Sequence, residues 1–430
     1  MRILVVLLTM GCLSLPAAAA GHHRGKAQQK TRVAPKKHTA SARNTNVRGN
    51  SVRGNSVRGN SRGSARGVRA GSRGGKSRGS RLILASSHHP VSHLSRLRRA
   101  RQRVIWNPWT EPTFADSTAA DSVDGEDLMV RRAAAQALGP FNGTVVVADP
   151  RTGRILTIVN QGLAYKSGFQ PCSTIKLVAA LGGLNEGLIE RNTLVRIGRR
   201  TEMDLTEALA RSNNTYFANI GSRLGFERVT RYARMFGLGE KAGLNIREEQ
   251  AGGLPKAAPG EGGVGMMTSF GSGITLTPLQ LTGLVSAIAN GGTLYYLQKP
   301  KSQDEIAQFV PRVKRQLDIQ QWIPELKPGM MGAVEYGTAR RAGYSQNEPI
   351  LGKTGTCSDQ RLPGVHLGWF SSFNDVGTNR IAVTVLLTGG RPISGPVASG
   401  VAGAVYKELS DQGYFGQNRP LSPVALLSIQ

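Results

Sequence analysis

Acidic residues are missing from the first quarter of this 430-residue chain, where the first carboxylate is that of Glu111. Residues 1–110 contain 23 of the 55 lysines and arginines, whereas the remainder has 32 basic residues against all 27 acidic ones. The formal net charge of +28 therefore describes an N-terminal arm, and the rest of the chain is nearly neutral, at about +5. This uneven distribution removes the bulk-charge argument for a nucleic-acid-binding protein, so a nucleic-acid partner is not expected.

Long apolar runs are also scarce, and the one that stands out lies at the start of the chain, in residues 3–20. A single arginine, an apolar stretch, Pro16 and then four alanines are the layout of a secretory signal peptide, cleaved after Ala20. An uncleaved anchor is the alternative, because 18 residues are the lower limit for a membrane span. Lipid attachment at Cys12 is disfavoured, since the residues before it do not begin with leucine. Both remaining interpretations predict export, to the periplasm or the outer face of the cytoplasmic membrane.

Residues 21–110 form what we call the basic arm, rich in arginine, glycine and serine, with VRGNS repeated three times between residues 47 and 61. A pentad with one valine buries too little apolar surface to offset the entropy of ordering, so the arm is predicted to be disordered. Outside the cytoplasm its expected partners are anionic membrane lipids or wall polymers, unless it is a plain solvated spacer. Near its end, leucines, arginines, Trp106 and Trp109 fit a short amphipathic helix at a membrane surface.

The rest of the chain is predicted to be α+β, with an antiparallel sheet formed by distant segments, helices flanking it, and a helical lobe. Residues 111–140 are interpreted as a linker and one helix, 141–412 as the main domain, and 413–430 as a C-terminal tail. Strands are expected at 145–148, 155–159, 368–373 and 381–387, and helices at 174–185, roughly 203–237, 277–289 and about 397–410.

The first chemical motif is Ser173 with Lys176, three residues apart and therefore on one face of the helix predicted after Pro171. A serine hydroxyl is a weak nucleophile until a base removes its proton, and a lysine serves only if burial or other cations keep it neutral. The N-terminus of that helix also directs backbone N–H groups toward a developing oxyanion. Alone, this spacing is common by chance.

Two further short motifs follow in the chain. Ser212 could pass a proton to or from Lys176, and the amide of Asn214 could hold a peptide backbone. The segment Lys353–Thr356 is predicted to be a β-strand. Lys353 supplies a cation, Thr354 and Thr356 supply hydroxyls, and Gly355 lets another backbone approach closely. Two other Ser-x-Asn sequences are treated as chance matches, those at Ser345–Asn347 and Ser372–Asn374.

The order Ser-x-x-Lys, Ser-x-Asn, Lys-Thr-Gly resembles the penicillin-binding protein transpeptidase family, of the β-lactamase/DD-peptidase-like superfamily. The resemblance covers roughly residues 140–410 and includes the TPLQL sequence at 277–281 and VEYGTA at 334–339. It departs from the family at Gly271-Ser272-Gly273, where a Gly-Gln-Gly is usual.

Position by position, the resemblance implies that Ser173 is the acylated nucleophile, Lys176 the general base and Ser212 the proton shuttle. It assigns Asn214 to the substrate amide and Lys353, Thr354, Gly355 and Thr356 to the site of a substrate carboxylate. The backbone N–H groups of Ser173 and Thr356 would form the oxyanion hole. No metal or cofactor is implied.

The oxyanion hole also bears on the cysteines. If both N–H groups point at one oxygen, the neighbouring Cys172 and Cys357 lie on adjoining backbone, and an exported protein can form a disulfide there. Two buried free thiols are the alternative.

The implied activity is that of a D,D-transpeptidase or D,D-carboxypeptidase on peptidoglycan stem peptides, through an acyl-serine intermediate that β-lactams also form. A class D-like β-lactamase and a non-enzymatic β-lactam sensor remain as alternatives. Residues 21–140 contain no acidic residue before Glu111 and have too little apolar content for a glycosyltransferase domain, so a separate glycosyltransferase partner is expected.

Overall fold

The computed structural model describes residues 113–360 and 362–416. The predicted signal peptide, the basic arm with its amphipathic segment, and residues 417–430 of the tail lie outside these ranges. Within them, no helix has both the length and the apolar content needed to cross a membrane.

Strands and helices alternate irregularly along the described chain, as expected for an α+β protein. The strands are β1 Gly143–Ala148, β2 Ile155–Val159, β3 Val195–Arg196, β4 Glu202–Met203, β5 Thr293–Tyr295, β6 Val313–Gln316, β7 Ile350–Ser358, β8 His366–Asn374 and β9 Ala382–Gly389. The α-helices are α1 Leu128–Leu138, α2 Gln161–Ala164, α3 Lys176–Asn185, α4 Leu205–Ala210, α5 Asn214–Met235, α6 Gly263–Phe270, α7 Pro278–Ala289, α8 Gln303–Ala307, α9 Lys327–Glu335 and α10 Gly395–Asp411. Short 3₁₀ helices span Cys172–Ile175, Gln320–Leu326 and Arg340–Ala342.

The central sheet has five antiparallel strands in the order β2-β1-β9-β8-β7. The hairpin of β1 and β2 comes early in the chain, yet β1 pairs with β9 from the opposite end, with Gly143 beside Leu387 and Ala148 beside Ala382. Valine-rich strands favour this pleated, two-sided burial, and every residue of β1 and β9 is buried. The predicted fold class, an antiparallel sheet flanked by helices with a helical lobe, is confirmed.

Helices cover both faces of the sheet. Helices α1 and α10 pack with one set of sheet residues, whereas α3, α5 and α7 share a core cluster with Trp369, Phe373 and Leu386 of the other set. Helix α7 begins with a capping box, in which Thr277 accepts from the backbone of Gln280 and the Gln280 side chain accepts from the backbone of Thr277. Strand β7, at the edge of the sheet, packs against the 3₁₀ helix Cys172–Ile175, with which the helical lobe begins.

The segment interpreted as a linker before α1 is part of the packed structure from residue 113 onward. The carboxylate of Asp121 accepts hydrogen bonds from the backbone N–H groups of Asn160 and Gln161 and forms an ion pair with Arg131 at 2.8 Å. Glu126 is buried and accepts from Thr157 and the backbone of Ile158. The side chains of Asp121 and Glu126 therefore attach this segment to β2, to α1 and to the start of α2.

Candidate active site

The first part of the site is the turn that enters α3. Ser173 lies in the 3₁₀ helix Cys172–Ile175, and Lys176 opens the α-helix that follows, so the predicted helix begins with a tighter turn. Cys172 has a positive φ of 51°, a conformation that non-glycine residues adopt at a cost. Gly271 packs beside this turn, and a Cβ atom there would lie 2.4 Å from Cγ of Pro171. The turn that carries Ser173 is thus packed closely against Gly271.

The Lys176 amine is buried and surrounded by oxygen atoms. Its Nζ lies 2.9 Å from Oγ of Ser173, 2.7 Å from the carbonyl oxygen of Ser212, and 2.6 Å from Oδ1 of Asn214. A neutral amine has two N–H donors, which the carbonyl and amide oxygens accept, and one lone pair, which remains for the Ser173 hydroxyl proton. Burial lowers the pKa of Lys176 to about 7, so the neutral form is accessible near neutral pH.

Ser212 lies in the break between α4 and α5. Its φ of 56° is left-handed and ends α4, and Asn213 then caps α5 by accepting from the backbone of Tyr216 at 2.8 Å. This geometry places Oγ of Ser212 3.1 Å from Nζ of Lys176 and 2.8 Å from Nζ of Lys353. One hydroxyl therefore contacts both lysines of the site.

Lys353 is fully buried on β7 and donates to Ser212 and to the carbonyl oxygen of Thr354. Burial, together with the charge of Lys176, lowers the pKa of Lys353 well below its usual range. Since both amines contact one oxygen atom, they lie at most about 6 Å apart, where two unit charges repel by about 3 kcal/mol at an effective dielectric of 20. The pair thus opposes simultaneous protonation of both lysines.

Strand β7 carries the remaining predicted side chains. Thr354 is buried and Thr356 is exposed, and the Thr356 hydroxyl accepts from the backbone N–H of Gly395 at 2.8 Å. Gly355 faces the nucleophile turn, because a Cβ atom there would lie 3.0 Å from the carbonyl oxygen of Pro171. The sequence prediction of a close backbone approach at Gly355 agrees with this contact.

Cys172 and Cys357 are joined by a disulfide, with their Cα atoms 5.6 Å apart. The bond connects the residue before Ser173 to the residue after Thr356. The two backbone segments that carry the predicted oxyanion donors are therefore covalently linked, across 185 residues of sequence. The assignment of the two N–H groups to an oxyanion hole stays a prediction.

The structure brings Ser173, Lys176, Ser212, Asn214 and Lys353 into one hydrogen-bonded cluster, with the β7 threonines beside it. The two chance Ser-x-Asn sequences lie elsewhere. Ser372 bonds to Val383 and Tyr406, and Ser345 accepts from the backbone of Glu348.

Two contacts of the site were not found from the sequence. The carbonyl oxygen of Ser269, on α6, is 3.5 Å from Oγ of Ser173. The hydroxyl of Thr338, which belongs to the VEYGTA sequence, is 2.6 Å from that of Thr354. That sequence was the one available signal for Thr338, and it indicated family likeness without a contact.

Ser173 and Lys176 lie at the start of a helix, Ser212 in the break between α4 and α5, and Lys353 on β7 of the antiparallel sheet. Together they define a site of the penicillin-binding class. Residues 143–411 match the family described as Penicillin binding protein transpeptidase domain. The chain belongs to this family.

Curated relatives share it at low identity. The chain is 26% identical over 316 residues to stage V sporulation protein D of Bacillus subtilis, covering 64% of this chain and 48% of that protein. It is 23% identical over 379 residues to peptidoglycan D,D-transpeptidase MrdA of Haemophilus influenzae, covering 69% and 58%. For peptidoglycan D,D-transpeptidase PbpA of Mycobacterium tuberculosis the identity is 25% over 315 residues, covering 59% and 63%. The chain thus spans about half to three fifths of the length of these relatives.

Proposed function

We propose that the protein is a serine D,D-transpeptidase of peptidoglycan stem peptides, acylated at Ser173 by its substrate and by β-lactams. The observation that carries the proposal is the 2.9 Å contact between Nζ of Lys176 and Oγ of Ser173, combined with the lowered pKa of that lysine. Two of the relatives named above are peptidoglycan D,D-transpeptidases, which supports the same substrate class.

In acylation, Oγ of Ser173 attacks the carbonyl carbon of the penultimate D-Ala, and its proton moves to the lone pair of Lys176. The backbone N–H groups of Ser173 and Thr356 stabilise the negative oxygen of the tetrahedral intermediate. When the C–N bond breaks, the proton on Lys176 reaches the leaving amine through the hydroxyl of Ser212. Free D-Ala departs, and an ester to Ser173 remains.

The other polar groups orient the substrate. Since Oδ1 of Asn214 accepts from Lys176, its Nδ2 group is left to donate to a substrate carbonyl. The terminal carboxylate binds beside Lys353, Thr354 and Thr356, and its negative charge raises the pKa of Lys353 again. A protonated Lys353 then disfavours protonation of Lys176, so substrate binding keeps the general base neutral.

The acyl-enzyme is resolved by an amine from a second stem peptide in transpeptidation, or by water in carboxypeptidation. A β-lactamase would need rapid hydrolysis of the ester, and within the described residues no carboxylate is hydrogen-bonded to Ser173 or Lys176. The amine of Lys176 is within hydrogen-bond distance of four oxygen atoms, which favours its use as a free base.

We further propose that the protein acts outside the cytoplasm, delivered by residues 1–20, with a separate glycosyltransferase supplying glycan strands. The basic arm would hold it near anionic membrane lipids or wall polymers.

The test is the lifetime of the adduct with a fluorescent penicillin, measured after the free label is removed. A transpeptidase retains the label for minutes or longer, and the Ser173→Ala variant takes up none. Release within seconds would instead indicate a β-lactamase. A stable adduct in a protein that cannot cross-link or trim stem peptides would indicate a sensor.

A further inference from the structure

Thr338 occupies the turn after α9, between two of the three motif segments. Its backbone N–H donates to the carbonyl oxygen of Ala210 at 3.1 Å, two residues before Ser212. Its hydroxyl lies 2.6 Å from the hydroxyl of Thr354 on β7. The preceding Gly337 allows this fit, since a Cβ atom there would lie 2.2 Å from the same Ala210 oxygen. Thr338 thus contacts both the segment that precedes Ser212 and strand β7, which carries Lys353.

The direction of the hydrogen bond between the two threonines follows from what Thr354 must do. To bind a carboxylate, the Thr354 hydroxyl donates its one proton to that carboxylate, because a carboxylate only accepts. Its oxygen is then left as an acceptor toward Thr338, whose hydroxyl has to be the donor. Hydrogen bonds in such a chain polarise and strengthen one another. Thr338 therefore holds Thr354 in the rotamer and the donor state that a carboxylate requires.

We propose that Thr338 is a positioning residue that acts through Thr354 to make the site selective for substrates with a free carboxylate. The inference rests on the proposed function, since it deepens the account of the same site. Thr338 is hydrogen-bonded to neither Ser173 nor Lys176, so loss of its hydroxyl removes no hydrogen bond of the nucleophile or its base.

The experiment measures acylation of the full chain by benzylpenicillin and by its methyl ester, with Thr338→Val and Thr338→Ser beside wild type. Valine has the shape of threonine without the hydroxyl, and serine retains the hydroxyl. Loss of one hydrogen bond is expected to weaken pre-acylation binding of benzylpenicillin roughly three- to tenfold in Thr338→Val, with an unchanged maximal acylation rate. Thr338→Ser should behave as wild type, and the methyl ester should show no difference among the three proteins.

A second comparison tests action through Thr354. In a Thr354→Val background, adding Thr338→Val should cause no further loss of benzylpenicillin binding, because Thr354 no longer has a hydroxyl for Thr338 to orient. Equal losses for benzylpenicillin and its ester, additive losses in the double variant, or no loss at all would overturn the inference. If Thr338→Val does not fold, Thr338→Ala provides the same comparisons. A wild-type protein that no β-lactam acylates would instead overturn the proposed function, and with it this inference.

Discussion

The Cys172–Cys357 disulfide gives a prediction with two independent readouts, since it closes a long loop and also adjoins the proposed oxyanion donors. The perturbation is the double variant Cys172→Ala/Cys357→Ala, with wild type in a dithiol reductant as a second route to the same state. In the chain-entropy account, a cross-link over 185 residues stabilises the folded state by about 5 kcal/mol, an upper value that native strain reduces.

The effect on catalysis follows from geometry. Loss of the link lets the backbone of Thr356 move relative to that of Ser173, and a misplacement of about 1 Å costs on the order of 100-fold in rate. We therefore expect acylation by benzylpenicillin to slow by roughly 10- to 100-fold, less than or equal to the loss of one whole oxyanion donor.

Urea unfolding followed by tryptophan fluorescence measures the first effect, and stopped-flow acylation measures the second. Peptide mapping without reductant should recover the Cys172 and Cys357 peptides as one linked species. Separate, alkylated peptides from the unreduced protein, or a double variant with wild-type stability and acylation rate, would refute the reasoning.

Four further predictions concern the two lysines and one glycine. Because catalysis needs a neutral Lys176 with a pKa of about 7, acylation should rise about tenfold per pH unit below pH 7 and level off above it; a rate independent of pH from 5 to 8 would contradict this. The same lowered pKa means that the unfolded chain binds the proton more tightly between pH 7 and about 10.4, so unfolding free energy should increase with pH across that window, as urea midpoints can show. Lys353→Ala should slow acylation by benzylpenicillin about 10- to 100-fold, since a charged hydrogen bond to the carboxylate is lost, and the methyl ester should be affected much less; equal losses would count against a carboxylate site at Lys353. Gly337→Ala should destabilise the protein by about 1–3 kcal/mol, because its Cβ would lie 2.2 Å from a backbone oxygen, whereas Gly260→Ala, in open space, should not lower the urea midpoint.

The parts of the fold that follow from local pattern could be predicted. The β1–β2 hairpin has β-branched runs on either side of turn residues, and the TPLQL helix has a capping box in its sequence, so the bounds of both elements agree closely with expectation. For the sheet as a whole, only an antiparallel arrangement of distant segments could be predicted. The register of β1 with β9 could not, because it depends on packing between those segments.

The contacts of the site also divide into those set by local sequence and those set by the packing of distant segments. Ser173 and Lys176 are neighbours along one helical turn, and their contact was predicted from spacing. The left-handed backbone at Ser212 was not, since nothing in an Arg-Ser-Asn-Asn sequence indicates a positive φ. The contact of Thr338 with Thr354 was not predicted either, because it joins a turn and a strand that are separated in sequence and brought together by α9.

The central claim is that Ser173 is the acylated nucleophile, and mass spectrometry of the protein after exposure to benzylpenicillin tests it most directly. We predict one adduct with the mass of the intact drug, located on the peptide that contains Ser173, and retained in the control variant Ser345→Ala. The Ser173→Ala variant should fold, with its urea midpoint near that of wild type, and carry no adduct. An adduct on another residue, or an adduct that persists in Ser173→Ala, would contradict the account.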